Sequence, residues 1–246
     1  MDANSFSHIV HSMRLSFASR LRLSASVCRR VAAAGGAALM LAAGGAVGGF
    51  DLDRMRAVAL QRFGAGAAEA VDGWRTALAG WRELPEEMQL QRVNEFFNRR
   101  IRFAEDSQLW GQADYWATPL EVLARGAGDC EDYVFAKYFT LRELGVDEQR
   151  LRMTYVRARI GGAGGTLTQA HMVLSYYPSP DAVPLVLDNL MTGIRPATAR
   201  PDLTPVFSFN MQGIFVGGAS QASQPVDRVS RWRELLLRMN AEGLKD

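Results

Sequence analysis

The stretch Gly126-Ala127-Gly128-Asp129-Cys130-Glu131-Asp132-Tyr133 places one thiol among three carboxylates, directly after a pair of glycines. Cys130 and His171 are the only cysteine and histidine after residue 46, because His8, His11 and Cys28 all precede it. A thiol and an imidazole left alone in a chain are the minimum set for nucleophilic catalysis in which the imidazole takes and returns the thiol proton. The glycines break whatever precedes them, so a helix is expected to begin at about Asp129, with Cys130 in its first turn. Free N–H groups and the helix dipole there favour a thiolate, and the same N–H groups can hold an oxyanion. The competing reading of Cys130 is a small buried hydrophobe, and that of His171 a satisfied core group.

Asp129, Glu131 and Asp132 act against a neighbouring thiolate. Two readings of them stay open from spacing alone. In one, Asp129 caps the helix while Glu131 and Asp132 complement its dipole. In the other, Asp129 and Asp132 share a face at i, i+3 and the hard oxygen donors hold Ca²⁺. No EF-hand loop pattern is present. Gly161 to Gly165 is glycine-rich but opens no helix, so it reads as a hairpin tip and not a phosphate cradle.

A third member of the constellation follows from strand pairing. Residues 167–177 (LTQAHMVLSYY) and 184–189 (PLVLDN) read as strands joined by a turn around Pro178-Ser179-Pro180-Asp181. A hairpin centred near residues 179–181 sets His171 opposite residue 188 or 190. Asp188 is then a direct or diagonal neighbour on the same face, suited to orienting the imidazole.

The elements that position these groups read as an α+β domain. Helices are expected over 51–63, 66–81 and 86–100, the last with Leu90, Val93, Phe97 and Ile101 at helical spacing. Residues 104–117 read as an extended, aromatic-rich connection. Thr118 is the expected N-cap of a short helix to Ala124, with Pro119 in its first turn. The Cys130 helix runs to Leu144, is stopped by Gly145 and is apolar on most sides, hence buried. Strands follow over 151–159, 167–177, 184–189, 205–209 and 213–216, then a helix over 229–242. In the first strand Leu151, Met153 and Tyr155 alternate with Arg152 and Thr154.

Residues 1–30 carry five arginines and one acid, and residues 31–50 (VAAAGGAALMLAAGGAVGGF) carry no charge. This reads as an export leader cleaved near Ala43 to Ala46, with a retained anchor as the alternative, ahead of a domain over 47–246. Arg29-Arg30 is compatible with twin-arginine export, and Sec export is equally compatible. Cys28 precedes the apolar run and lacks a leucine three residues before it, so no lipid anchor is expected. Of 28 basic and 26 acidic residues, five and one lie in residues 1–46, leaving 23 and 25 and a net charge of −2. The basic balance belongs to the leader, and nothing in the rest points to nucleic acid. A lone thiol also excludes an internal disulfide.

These segments resemble a known family. GAGDCEDY followed by AKYFTLRELGV, then LRMTYV, AHMVLSYYPSP and PLVLDNL, with NEFFNRRI and DYWATPLE upstream and SRWRELLLRMNAEG at the end, are similar to the LapG-type bacterial transglutaminase-like cysteine proteases. The similarity runs from about Asp51 to Gly243. It implies a papain/transglutaminase-like fold, with a helical N-terminal half and the buried Cys-bearing helix packed on an antiparallel sheet. It implies a periplasmic endopeptidase that cuts a large surface adhesin near its N-terminus at a di-alanine site, releasing cells from a biofilm. Carried across, Cys130 is the nucleophile, His171 the general base and then acid, and Asp188 the orienting carboxylate. Ca²⁺ is the implied cofactor, with Asp129, Glu131 and Asp132 as its ligands. The implied regulator is a LapD-type inner-membrane receptor that senses cyclic di-GMP, and an exposed tryptophan, Trp116 or Trp110, is the expected contact. Two other readings stand beside this one: acyl transfer to amines by the same triad, and an inactive binding module on the same fold.

Overall fold

The computed structural model describes residues 49–161, 165–216, 219 and 221–244. The expected leader over 1–46 and the tip residues 162–164 lie outside the described residues. No helix among the described residues is long and apolar enough to cross a membrane.

Three helices come first: α1 (Leu52–Phe63), α2 (Ala65–Trp81) and α3 (Glu86–Arg100). α3 has Glu86 and Glu87 in its first turn and Arg99 and Arg100 in its last, which matches the sign of the dipole at each end. The two-residue strand β1 (Arg102–Phe103) and the short helix α4 (Asp106–Leu109) follow, so the expected extended connection contains one helical turn. α5 (Pro119–Arg125) starts on a reciprocal capping box. Thr118 Oγ1 accepts from the Glu121 N–H at 3.1 Å, and Glu121 Oε2 accepts from the Thr118 N–H at 3.0 Å. Gly126 ends α5 at φ +57°, a conformation costly for any residue with a Cβ. The chain then forms β2 (Ala127–Gly128), parallel to β1, and enters α6 (Cys130–Glu143).

α6 is buried along nearly its whole length, from Cys130 to Leu141. Its apolar side chains face helices on one side and a sheet on the other. The indole of Trp74 on α2 donates to Thr140 Oγ1 at 3.2 Å. The C-terminal helix α7 (Ser230–Glu242) lays Trp232 on Phe139, rings stacked at 5.7 Å, with Phe135 and Phe209 at 5.9 and 5.6 Å.

The sheet comprises β3 (Leu151–Ile160), β4 (Leu167–Tyr176), β5 (Leu185–Leu187), β6 (Arg195–Pro196), β7 (Leu203–Asn210) and β8 (Gly213–Val216) in the order β6-β5-β4-β3-β7-β8. Every pairing in it is antiparallel. β4 pairs with β5 through Leu174↔Leu187, Ser175↔Val186 and Tyr176↔Leu185, which continues to put residue 190 opposite His171. This is the expected hairpin, with Asp188 diagonal to the histidine.

The alternation along β3 does not separate core from solvent. Arg152 and Thr154 are buried as well as Leu151, Met153 and Tyr155. β3 lies between β4 and β7, and neighbouring side chains cover Arg152 and Thr154. The Arg152 guanidinium lies over the rings of Tyr177 and Phe215 at 4.6 and 3.8 Å, and Thr154 Oγ1 bonds Ser175 Oγ at 2.8 Å. A central strand has no solvent side where both faces are covered, so a period-2 pattern in its sequence says only which face is the more apolar.

Trp232 sits 1% exposed at the junction of α6, α7 and β7. Trp232→Ala is expected to destabilise the fold by about 3–5 kcal/mol, read as a lower urea midpoint at unchanged slope.

Candidate active site

Cys130 enters the site from the start of α6, and the backbone at this point is dictated by its neighbours. A Cβ on Gly128 would stand 2.7 Å from Asp132 Oδ2 and 2.8 Å from its Cβ, so glycine is required for Asp132 to fold back against the helix start. In that position Asp132 accepts two backbone N–H groups: Ala117 at 2.8 Å and Asp129 at 3.3 Å. Asp132 thus ties the segment before α5 to the first turn of α6.

The thiol is buried and makes two contacts. It donates to Glu131 Oε2 at 3.0 Å, and it accepts from the backbone N–H of Met172 on β4, the residue after His171. Burial pushes the Cys130 thiol well up, and the charges of Glu131 and Asp129 push it further. The helix start therefore does not by itself yield a thiolate here, because desolvation and two adjacent carboxylates outweigh the dipole.

His171 is 1% exposed, and its Nε2 lies 2.8 Å from Asp188 Oδ1. A carboxylate can only accept, so Nε2 carries the proton in this bond, and in the neutral ring Nδ1 is the acceptor. Asp188 also accepts from the Leu190 N–H at 3.0 Å on Oδ1 and from Arg200 Nη2 at 2.8 Å on Oδ2. Burial raises the Asp188 carboxyl, but the bonds and charge of His171, with the bond from Arg200, hold it down at about 2. The structure thus brings Asp188 to His171, and it brings the strand that carries His171 to the thiol.

The three acids beside the thiol do not stand alone. Asp106 in α4 and Asp114 in the following loop turn inward to join Asp129, Glu131 and Asp132, and all five are buried. Three overlapping groups offer ligand atoms within 4.8 Å of one another: Asp129 with Cys130 and Glu131, Asp106 with Asp114 and Glu131, and Asp106 with Asp129 and Asp132. Asp106 Oδ1, both oxygens of Asp129 and Glu131 Oε1 are buried without a hydrogen-bond donor. Among the described residues, Asp114 alone of the five has a cationic partner, Arg231 at 2.5 Å. Burial, with the neighbouring carboxylates adding to it, raises Asp106 to about 7 and raises Asp114, Asp129 and Asp132 as well. Buried, undonated carboxylate oxygens from several chain segments are a donor set for a hard divalent cation of the Ca²⁺ kind. The residues present fit such an ion.

Sequence reasoning missed Asp106, Asp114 and Arg200. The first two lie in a stretch read as a plain connection, AEDSQLWGQADYWA, where acids between large aromatics were the available signal. The expected exposed tryptophan is also corrected. Trp116 is 2% exposed, with its ring against Phe135 and Phe209 at 4.8 and 5.9 Å, so it is a core residue. Trp110 is half-buried against Tyr115 at 4.6 Å.

Gly128→Ala is expected to force Asp132 out of its position and to abolish activity while leaving most helix content in place. Circular dichroism beside an activity assay checks the separation of the two effects.

No curated protein matches the chain. The family model for bacterial transglutaminase-like cysteine proteinases matches residues 78–201, a span that contains every site residue named above except Arg231. Solved structures of LapG from Legionella pneumophila are similar throughout their length. One is 36% identical over 76% of this chain and 97% of its own, with a TM-score of 0.65. An EGTA-treated form is 37% identical over 76% and 97%, TM-score 0.67, and a calcium-bound form 36% identical over 76% and 98%, TM-score 0.66. With that span, identity and shared fold, the chain belongs to the bacterial transglutaminase-like cysteine proteinases, and within them to the LapG type.

Proposed function

We propose that the chain is a calcium-dependent periplasmic cysteine endopeptidase that cuts the N-terminal region of a large cell-surface adhesin at a di-alanine site, and so promotes release from a biofilm. The observation that carries the catalytic part is the junction of α6 and β4. A thiol at a buried helix start touches the backbone beside a histidine whose Nε2 is committed to a buried carboxylate.

In this reading Nδ1 of His171 takes the Cys130 proton as sulfur attacks the scissile carbonyl, forming the C–S bond. Asp188 holds the ring with Nδ1 toward the thiol and stabilises the imidazolium by charge. The oxyanion is held in part by the Cys130 N–H at the start of α6. The imidazolium returns its proton to the leaving amine as the C–N bond breaks. A water deprotonated by His171 then hydrolyses the thioester, releasing the acid and the thiol. Transfer of the acyl group to an amine instead of water would appear as a labelled amine joined to a glutamine acceptor.

Calcium fits the same proposal. A bound divalent cation would satisfy the undonated oxygens of Asp106, Asp129 and Glu131 and cancel the negative charge that faces the thiol. Support also comes from the solved relatives, described as calcium-bound and EGTA-treated. The periplasmic placement rests on the basic and apolar leader. A LapD-type inner-membrane receptor is the proposed regulator, and Trp110 is the remaining aromatic candidate for its contact.

Cys130→Ala is expected to abolish cleavage of an adhesin N-terminal fragment with the fold intact. EGTA should stop the wild-type reaction and added Ca²⁺ restore it. Retained cleavage in the variant, or indifference to chelation, would sink the corresponding half of the proposal.

The raised carboxyls give a second test. A carboxyl whose folded pKa lies above its unfolded value favours the fold below about pH 4 and loses that advantage as pH rises through the folded value, about 7 for Asp106. Chelated protein should therefore lose stability between about pH 4 and 8. Ca²⁺ at 100-fold over its Kd should restore about 2.7 kcal/mol near pH 8, roughly 5–10 °C in Tm, and clearly less at pH 5. Thermal melts at both pH values, with and without Ca²⁺, measure the difference.

A further inference from the structure

Asp188 is held by more than its histidine. Its Oδ1 already accepts from His171 Nε2 and the Leu190 N–H, at 2.8 and 3.0 Å. Its Oδ2 takes Arg200 Nη2 at 2.8 Å, and Arg200 is itself gripped by Asp202, with Nε at 3.0 Å from Oδ1 and Nη2 at 2.7 Å from Oδ2. Arg200 and Asp188 are both buried, 3% and 1% exposed, while Asp202 is only partly so. The Asn98 amide on α3 donates to the Asp188 carbonyl oxygen at 2.8 Å, which fixes the backbone under the side chain. Lys137 on α6 is fully buried on the helix side, and burial lowers its ammonium to about 7 against the opposing charge of Asp188.

A buried carboxylate bound on one oxygen alone is free to turn about its Cβ–Cγ bond. Turning would carry Oδ1 away from Nε2 and release the histidine to adopt the other tautomer. A guanidinium on the second oxygen blocks that rotation, and its planar fork, locked by Asp202, fixes the angle as well as the charge. Arg200 reaches Asp188 from across a loop twelve residues later in the chain, so the two meet only through the fold.

We infer that Arg200, held by Asp202, is a positioning residue for the reaction: it locks the Asp188 carboxylate so that Oδ1 stays on His171 Nε2. The inference rests on the proteolytic reading above. Arg200 is only 3% exposed and acts through Asp188, so its effect is expected on kcat and not on KM.

The test measures cleavage of an adhesin N-terminal fragment by purified protein in Ca²⁺ buffer, for Arg200→Met, Arg200→Lys, Asp188→Asn and the double variant Asp188→Asn with Arg200→Met. Arg200→Met should lower kcat about 10- to 100-fold with KM within about threefold, since a misplaced orienting group costs on that scale. Arg200→Lys should recover part of the loss, because an ammonium supplies the charge without the fork. In the Asp188→Asn background Arg200→Met should cost less than about twofold more, since a residue acting through Asp188 has nothing left to position. Unchanged kcat in Arg200→Met, or a loss that multiplies in full with Asp188→Asn, overturns the inference. Should Arg200→Met fail to fold, Asp202→Asn reads the same lock from its exposed end. There a fall in kcat at constant KM supports the role, and no change overturns it. Full cleavage by Cys130→Ala or Asp188→Asn would instead overturn the proteolytic reading, and this inference with it.

Discussion

The first turn of α6 brings a thiol and buried carboxylates into a volume closed to water, and the surrounding segments are arranged around that demand. Like charges at such separations cannot all ionise in a dry site without a counter-charge. The chain meets part of the cost with backbone donors: Ala117 and Asp129 give their N–H groups to Asp132, and Tyr115 gives its N–H to Asp106. The rest, on Asp106, Asp129 and Glu131, has no donor at all. A hard cation there would stabilise the fold and relieve the thiol at once, so the proposed calcium dependence would belong to the helix start itself.

The sheet answers a different requirement, that of precise aim. β4 delivers the Met172 N–H to sulfur and the His171 ring to Asp188 from adjacent positions, so one strand ties the thiol to the segment that carries the imidazole. β5 is short and ends at Leu187, which frees the chain to turn at Asp188. Arg200 and Asp202 then close on the carboxylate from the far side. Two polar arrays of opposite character thus meet at the thiol: an over-acidic one on the helix and a charge-balanced one on the sheet.

Much of this was legible in the sequence, for local reasons. Thr118, Pro119 and Glu121 carry a capping box within four residues, and Gly126 and Gly145 end helices through a conformation that glycine favours. The β4–β5 hairpin placed Asp188 diagonal to His171 because strand pairing is arithmetic once the turn is found. The burial of Arg152 was not legible, since its cover comes from Tyr177 and Phe215, which adjoin it only in the folded sheet. Trp116 was misplaced for the same reason: an indole in a connecting segment looks exposed until Phe135 and Phe209 close over it.

By itself the sequence determined the helices and strands, the one thiol and one imidazole after residue 46, and the pairing that gives the imidazole an aspartate. Each of these depends on caps, periodicity or register over a short span of chain. Only the tertiary structure decided that Asp106 and Asp114 join the acids of α6, that Arg200 holds Asp188, and that the thiol is pushed up rather than down. Those outcomes depend on burial and on charges brought together from distant segments, and neither quantity exists until the chain has closed around them.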